Sequence, residues 1–96
     1  MGTHPLASPY RFDTILSADT LYSEATIPIF ITALRHILHK SGQALVAAKR
    51  YYFGVGGSTA AFRALLDKYG DMTCEVVAVY QDGASNIREI LCVKWK

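Results

Sequence analysis

Two residues, Asp19 and Tyr22, have types and a spacing that could serve in chemistry. They follow residues 12–18 (FDTILSA), an apolar run with β-branched side chains that predicts a buried strand. Ligands of open α/β sheets bind beyond the carboxyl ends of the parallel strands, where this carboxylate and this phenol would lie. They could therefore bind or orient a substrate. The alternative is that Asp19 caps the following helical segment or a turn and that Tyr22 only packs.

A second candidate is the loop from Tyr52 to Gly57. Its glycines can adopt positive φ and let the backbone approach a ligand closely; they are Gly54, Gly56 and Gly57. Ser58 can cap the helix that follows, and a helix N-terminus attracts anions. The spacing of a nucleotide phosphate loop is absent, which disfavours that ligand. Helix-entry geometry and a substrate-facing lip remain as interpretations. Lys49, just before the loop, could pair with Asp19 or be solvated.

The histidines and cysteines do not predict a metal site. His36 and His39 are three apart on a predicted helix, but no third ligand is evident and a catalytic zinc needs three protein ligands. Cys74 and Cys92 are equidistant from position 83 of a predicted hairpin, so they could lie almost opposite each other. We expect them to remain thiols in a reducing compartment.

The composition is typical of a small intracellular domain. The 96 residues allow one domain at most. The hydrophobic share of 51% is high for that size, so either both faces of a sheet are covered or some apolar surface is meant for a missing partner. The net charge of +2 is too small to indicate nucleic-acid binding. No membrane span or signal peptide is recognised, which predicts a cytoplasmic or nuclear location.

The apolar pattern predicts the order β-α-β-α-β-β after an irregular segment, 1–11. Ile27 to Leu38 carries an apolar stripe at helical spacing, with Gly42 as its stop signal. The second helix runs from its cap Ser58 to Gly70. Alternating strands and helices indicate parallel strands with right-handed crossovers, and the last two strands form an antiparallel hairpin. The strands are expected at 12–18, 43–49, 73–80 and 87–95.

Two motifs resemble a known enzyme family. Asp19-Thr20-Leu21-Tyr22 resembles the D-x-x-Y motif after the fourth strand of the seven-strand, S-adenosylmethionine-dependent protein methyltransferases. Lys49 to Gly57 (KRYYFGVGG) is similar to the K-x-x-Y-F-G-V-G-G segment of their protein-histidine branch. The resemblance extends from about Phe12 to Trp95. It implies the C-terminal half of a Rossmann-like sheet, with the last strand inserted antiparallel beside the strand at 43–49.

The resemblance also implies a site and its ligands. Asp19 and Tyr22 would be catalytic, and Ser17 would contact the cofactor S-adenosylmethionine. The substrate, a protein histidine such as one in a ribosomal protein, would contact residues of the second motif, namely Lys49, Tyr52, Gly54, Gly56 and Gly57. The family's glycine-rich cofactor loop is not found upstream of Phe12, so the isolated chain is expected to be inactive.

For a histidine substrate, the hypothesis is that Asp19 accepts the N–H of one ring nitrogen. The lone pair of the other nitrogen would then face the methyl donor. A lysine substrate remains open because it shares the D-x-x-Y arrangement. Two further interpretations are a non-catalytic α/β module that pairs, as a homodimer, through the exposed edge of the strand at 12–18, and a stand-alone small-molecule-binding domain.

Overall fold

A computed structural model of the chain describes residues 11–52, 54–82 and 86–96. The predicted irregular segment, except Arg11, lies outside the described residues, as do position 53 and positions 83–85 of the predicted hairpin. The order of elements is the predicted one. Their bounds are β1 Phe12–Ala18, α1 Thr26–Ile37, β2 Leu38–Lys49, α2 Thr59–Tyr69, β3 Met72–Asp82 and β4 Asn86–Trp95.

The four strands form one mixed sheet in the order β1-β2-β4-β3. β1 and β2 are parallel, whereas β4 runs antiparallel to both β2 and β3. The last strand is therefore inserted between its hairpin partner and β2, as the family resemblance implies. This arrangement brings the chain segment at the start of β4 to the edge where β1 and β2 end.

The boundary between α1 and β2 differs from the prediction. The helix ends at Ile37, and Leu38 already has extended backbone (φ −84°, ψ 123°). Leu38 is fully buried in the strand. An apolar residue at this position fits the apolar stripe of a helix and a buried strand equally well, which explains the wrong boundary. Gly42 does not stop the helix but lies within β2. The strand needs glycine at this position, because a Cβ there would be 2.6 Å from the carbonyl oxygen of Asp13 on β1. The pairing of β1 with β2 shifts register at this place.

Both helices pack on one face of the sheet. Alternate residues of β2, including Ala44 and Val46, are fully buried beneath them. The helices touch each other through Phe30 and Phe62, whose ring centroids are 5.9 Å apart. Helix α2 has the predicted ends, because the Ser58 hydroxyl accepts a hydrogen bond from the Ala61 N–H and Gly70 adopts the left-handed conformation.

The predicted alignment of the two cysteines is wrong by one residue. Cys74 pairs with Val93, and Cys92 pairs with Glu75. Because successive strand residues point to opposite faces, the two thiols lie on opposite sides of the sheet. Both are free, and burial raises the pKa of the Cys74 thiol.

The second face of the sheet exposes apolar side chains. Leu16 on β1 is 75% exposed. It lines, with Ser17, Ala18, Leu45, Ala47 and Ile90, a shallow cavity of about 380 Å³. The high hydrophobic share therefore reflects a sheet that is covered on one face only, as far as the described residues show. None of the helices they form is long and apolar enough to cross a membrane.

Candidate active site at the carboxyl ends of two parallel strands

The strands β1 and β2 end side by side. Ala18 pairs with Ala47, and the Asp19 N–H donates a hydrogen bond of 2.9 Å to the Ala47 carbonyl. Two loops consequently leave the sheet at one edge: residues 19–25, here called the first site loop, and residues 50–58, here called the second site loop. This is the edge at which open α/β sheets bind ligands.

Asp19 has a strained backbone at this edge. Its φ of 58° is in the left-handed region, where no other non-glycine residue lies among those described. Aspartate tolerates this conformation better than most residues, but it still costs free energy. Strain of this kind persists only where the surroundings hold it, and it clusters at functional sites. The side chain is 51% exposed, so solvent and substrates can reach the carboxylate.

Tyr52 binds the Asp19 carboxylate. Its hydroxyl donates a 2.5 Å hydrogen bond to Asp19 Oδ1 and accepts one of 2.9 Å from the Lys49 N–H. Burial and, next, the hydrogen bond to Asp19 raise the pKa of Tyr52 to about 12. The phenol therefore stays protonated at neutral pH. Tyr52 was predicted to contact substrate. In the structure its hydroxyl is hydrogen-bonded to Asp19, the carboxylate that was predicted to be catalytic.

Arg88 completes the cluster, although no sequence pattern indicated it. Its Nη1 lies 3.4 Å from Asp19 Oδ1. Lys49 was predicted as a candidate partner of Asp19. In the sheet it lies directly opposite Arg88, its backbone pairing partner on β4. The Lys49 ammonium lies 5.9 Å from the centre of the Tyr52 ring. No local pattern pointed to Arg88, since it lies 69 residues from Asp19 along the chain.

Tyr22 lies apart from this cluster. Its side chain is 49% exposed. It lines a separate cavity of about 290 Å³ with Thr20, Thr26, Ile29, Phe30 and Ala33. The structure thus places Asp19 and Tyr22 in one loop, but Asp19 does not line the cavity of Tyr22 and its side-chain partners are Tyr52 and Arg88.

Helix α1 is not capped by Asp19. It begins at Thr26, after Ala25, and the Thr26 N–H binds both the carbonyl and the hydroxyl oxygen of Ser23. The Asp19 carboxylate bonds to side chains of other elements. The alternative that it serves as a helix cap is therefore wrong.

The glycines of the second site loop let the two loops approach closely. Gly56 forms a backbone bridge to Ser23 and has φ of 80°. A Cβ on Gly57 would lie 2.0 Å from the Leu21 carbonyl oxygen. Gly54 has φ of 84° and open space around it. The close approach of the two loops is enough to explain why position 57 is a glycine, with no ligand required. A substrate-facing role of Gly54 and Gly56 stays a prediction.

A buried carboxylate holds the second site loop on the helix-covered side of the sheet. Glu89 accepts hydrogen bonds from the Thr59 hydroxyl and, at 3.1 Å, from Arg50 Nη2. Its side chain is 9% exposed. The sequence carried a signal for this residue, since Glu89 stands on the apolar face of a strand that otherwise presents Leu91 and Val93. A charge at such a position needs a partner.

The described residues do not fit an adenosyl cofactor on their own. Ser17, predicted to contact it, donates to or accepts from the Thr20 hydroxyl at 2.9 Å. The neighbouring cavity on the open face offers only apolar side chains, because Ser17 pairs with buried Val46 and its hydroxyl therefore lies on the helix-covered face. A ribose and an amino-acid carboxylate would need several donors and acceptors. The described residues also contain no group of three candidate metal ligands.

The fold and this cluster define an open-sheet α/β protein with a carboxylate at the ligand-binding edge. Comparison with curated proteins identifies the class further. The chain is 36% identical over 81 residues to a Dictyostelium discoideum protein named histidine protein methyltransferase 1 homolog, covering 84% of this chain and 26% of that protein. It is 34% identical over 74 residues to the homolog of that name from Bos taurus, covering 76% and 20%.

A Schizosaccharomyces pombe protein named histidine protein methyltransferase 1 is 38% identical over 62 residues, or 65% of this chain and 18% of that protein. No family model matches the chain. The chain belongs to the histidine protein methyltransferase family. It spans about a quarter or less of the length of these curated relatives.

Proposed function

We propose that the chain is the C-terminal part of an S-adenosylmethionine-dependent protein-histidine methyltransferase and that it supplies the substrate side of the active site. The observation that carries the proposal is the Asp19 carboxylate. It is half exposed at the ligand-binding edge, and its Oδ1 is held by Tyr52 and Arg88. Among the described residues, no group hydrogen-bonds Oδ2. The names of the relatives support the substrate class.

The proposed role of Asp19 is to select the reactive form of a histidine side chain. A free imidazole is largely neutral at pH 7 and needs the correct tautomer rather than a base. Oδ2 accepts the N–H of one ring nitrogen, which leaves the lone pair of the other as the nucleophile. As the ring becomes positively charged, the carboxylate stabilises it. Tyr22, which lines a separate cavity, would contact the substrate protein outside the immediate surroundings of Asp19.

The cofactor would supply the methyl group, and we propose that residues beyond those described here hold it. The apolar cavity beside Ser17 supports this division, since it cannot satisfy a ribose or an amino-acid carboxylate. The isolated chain is accordingly expected to be inactive. The proposed substrate is a histidine of a protein, ribosomal in type, and the proposed location is the cytoplasm or nucleus.

The test replaces the matching segment of the Dictyostelium relative by this chain and measures methyl transfer to histidine-containing peptides. The expected result is activity in the chimera and a loss of ~10²-fold or more in kcat with Asp19→Asn, which keeps the shape but removes the charge. Asp67→Asn is the matched control, because Asp67 is exposed on α2. Thermal melting and cofactor calorimetry establish that each variant folds. A folded, cofactor-binding Asp19→Asn variant with full activity would refute the proposal.

A second candidate function is a non-catalytic interaction module. It is favoured by the position of β1 at the edge of the sheet and by the exposure of Leu16. An open edge can add a strand from another chain, and a homodimer through residues 12–18 would do so. Sedimentation of this chain over a range of concentrations separates the two: a monodisperse monomer at high concentration would contradict the homodimer.

A further inference from the structure

The first residues of β4 reach both site loops from opposite faces of the sheet. Arg88 and Glu89 are neighbours in the chain, and successive strand residues point to opposite sides. Arg88 is on the open face with Lys49, its partner on β2. Glu89 is on the face covered by the helices and pairs with Ala48. One strand end therefore presents a cation on one side and an anion on the other.

The cation contacts the first site loop. Arg88 Nη1 lies 3.4 Å from Asp19 Oδ1, the oxygen that also accepts the hydrogen bond of the Tyr52 hydroxyl. The Arg88 side chain is 39% exposed, so its worth as a surface ion pair is small. Its consequence is geometric: it holds one carboxylate oxygen and leaves the other to a ligand.

The anion contacts both ends of the second site loop. Arg50 opens that loop, and Thr59 follows it as the first residue of α2. Glu89 binds the side chains of both through its two oxygens. The backbone also closes the loop there, since the Thr59 N–H donates to the Arg50 carbonyl at 3.4 Å. Tyr52, which binds Asp19, lies between these anchored ends.

We propose that Arg88 and Glu89 are positioning residues that set the distance between Asp19 and Tyr52, each holding one of the two loops. The inference rests on the proposed function for its effect on methyl transfer, but not for its effect on the loops. In this proposal each residue acts through the loop that it holds and not on the substrate. Their removal is expected to lower kcat by roughly tenfold or more with little change in KM, because misplaced catalytic groups slow the chemical step.

The experiment compares Arg88→Gln, Arg88→Lys and Glu89→Gln with Lys94→Gln in this chain. Lys94 is the matched control, since it is an exposed cation on the same face of β4 as Arg88. Backbone amide chemical shifts report each loop. Arg88→Gln is expected to shift residues 19–25, and Glu89→Gln residues 50–59. Gln keeps an acceptor for the Thr59 hydroxyl, which favours retention of the fold.

The spectroscopic signature is the ionisation of Tyr52, followed through its labelled Cζ. The Arg88 guanidinium lowers the pKa of Tyr52, so Arg88→Gln should move the onset of ionisation to higher pH. Arg88→Lys should restore the original onset, and Lys94→Gln should leave it unchanged. Unaltered loop shifts and an unaltered Tyr52 onset in both Gln variants would overturn the proposal.

The same variants in the chimera separate this inference from the proposed function. Loop shifts together with a tenfold lower kcat support both. Loop shifts with an inactive parent chimera refute the proposed function and leave the positioning role supported. Loop shifts with an unchanged kcat in an active chimera would overturn the catalytic part of the inference.

Discussion

Replacing Gly57 by alanine should separate the two site loops. A Cβ at this position would lie 2.0 Å from the Leu21 carbonyl oxygen and 2.2 Å from the Tyr22 carbonyl carbon. A close carbon–oxygen contact is about 3.3 Å, so the backbones must move apart by roughly 1.3 Å. Both atoms belong to the backbone and cannot escape by rotating. We therefore expect Gly57→Ala to lower the free energy of unfolding by about 3 kcal/mol, the upper end of what overpacking substitutions cost.

Urea unfolding followed by fluorescence measures this loss, because Trp95 is the single tryptophan of the chain. Gly54→Ala is the matched control. This variant makes the same substitution in the same loop. Gly54 has a φ of +84°, and an added Cβ would have nothing within 4 Å. It therefore carries left-handed strain of about 1 kcal/mol without a clash. If Gly57→Ala is no more destabilising than Gly54→Ala, the close approach of the loops is not as described.

In the active chimera, a displacement of this size between the loops should also lower kcat by ~10²-fold. Gly54→Ala leaves the distance between the loops unchanged, so a smaller loss of kcat in that variant would report only the predicted substrate-facing role of Gly54. Equal loss in both variants would instead indicate that the conformation of the second site loop matters more than its contact with the first.

Three further predictions follow from the fold and the site. Tyr52 has a pKa of about 12 against an ordinary 10.0, so its stabilisation is complete below pH 10 and lost as the pH rises towards 12; urea unfolding should show this loss, and Tyr52→Phe should reduce it. Leu16→Glu should diminish self-association in sedimentation with little loss of stability, because Leu16 is 75% exposed. Phe62→Ala should cost ~3–5 kcal/mol in urea unfolding, since Phe62 is fully buried; a loss under ~1 kcal/mol would place Phe62 outside the core.

The elements could be predicted because their signals are local. The β-branched run of β1 fixed its bounds, and the Ser58 cap and Gly70 stop fixed those of α2. The start of β2 was wrong because Leu38 satisfies a helical stripe and a buried strand equally well. The cysteine alignment was wrong because Asp82 pairs with Asn86, which centres the hairpin one position later than predicted and would displace the partner of Cys74 by two residues. A register shift between Val76 and Ala78 removes one of these two residues of offset, and the sequence pattern of a hairpin reveals neither feature.

The site was predictable only in part, for a related reason. Asp19 and the glycines lie in loops whose sequence is recognisable, so they could be named from the chain. Arg88 contacts Asp19 across 69 residues of sequence, and Glu89 contacts Arg50, at the start of the second site loop, across 39. Their roles depend on the insertion of β4 beside β2, and the side of the sheet on which each lies depends on the register. Glu89 was recognisable as anomalous on an apolar face, but its partners were not.

The exposed face of the sheet and the arrangement of the site lead to one physical conclusion. On the covered side, the first site loop is fixed through buried Leu21 and the second through Glu89. On the open side, Asp19 and Arg88 stand at the end of strands whose neighbouring side chains, Leu16 and Ile90, are apolar. An apolar face costs free energy in water, roughly 25 cal/mol per Å² left uncovered. Covering it would also exclude water from one side of the Asp19 carboxylate and strengthen its interaction with a cationic ring. Burial of that face and polarity of the site are therefore expected to act together, and a polar Leu16 variant should impair both partner association and methyl transfer in the chimera.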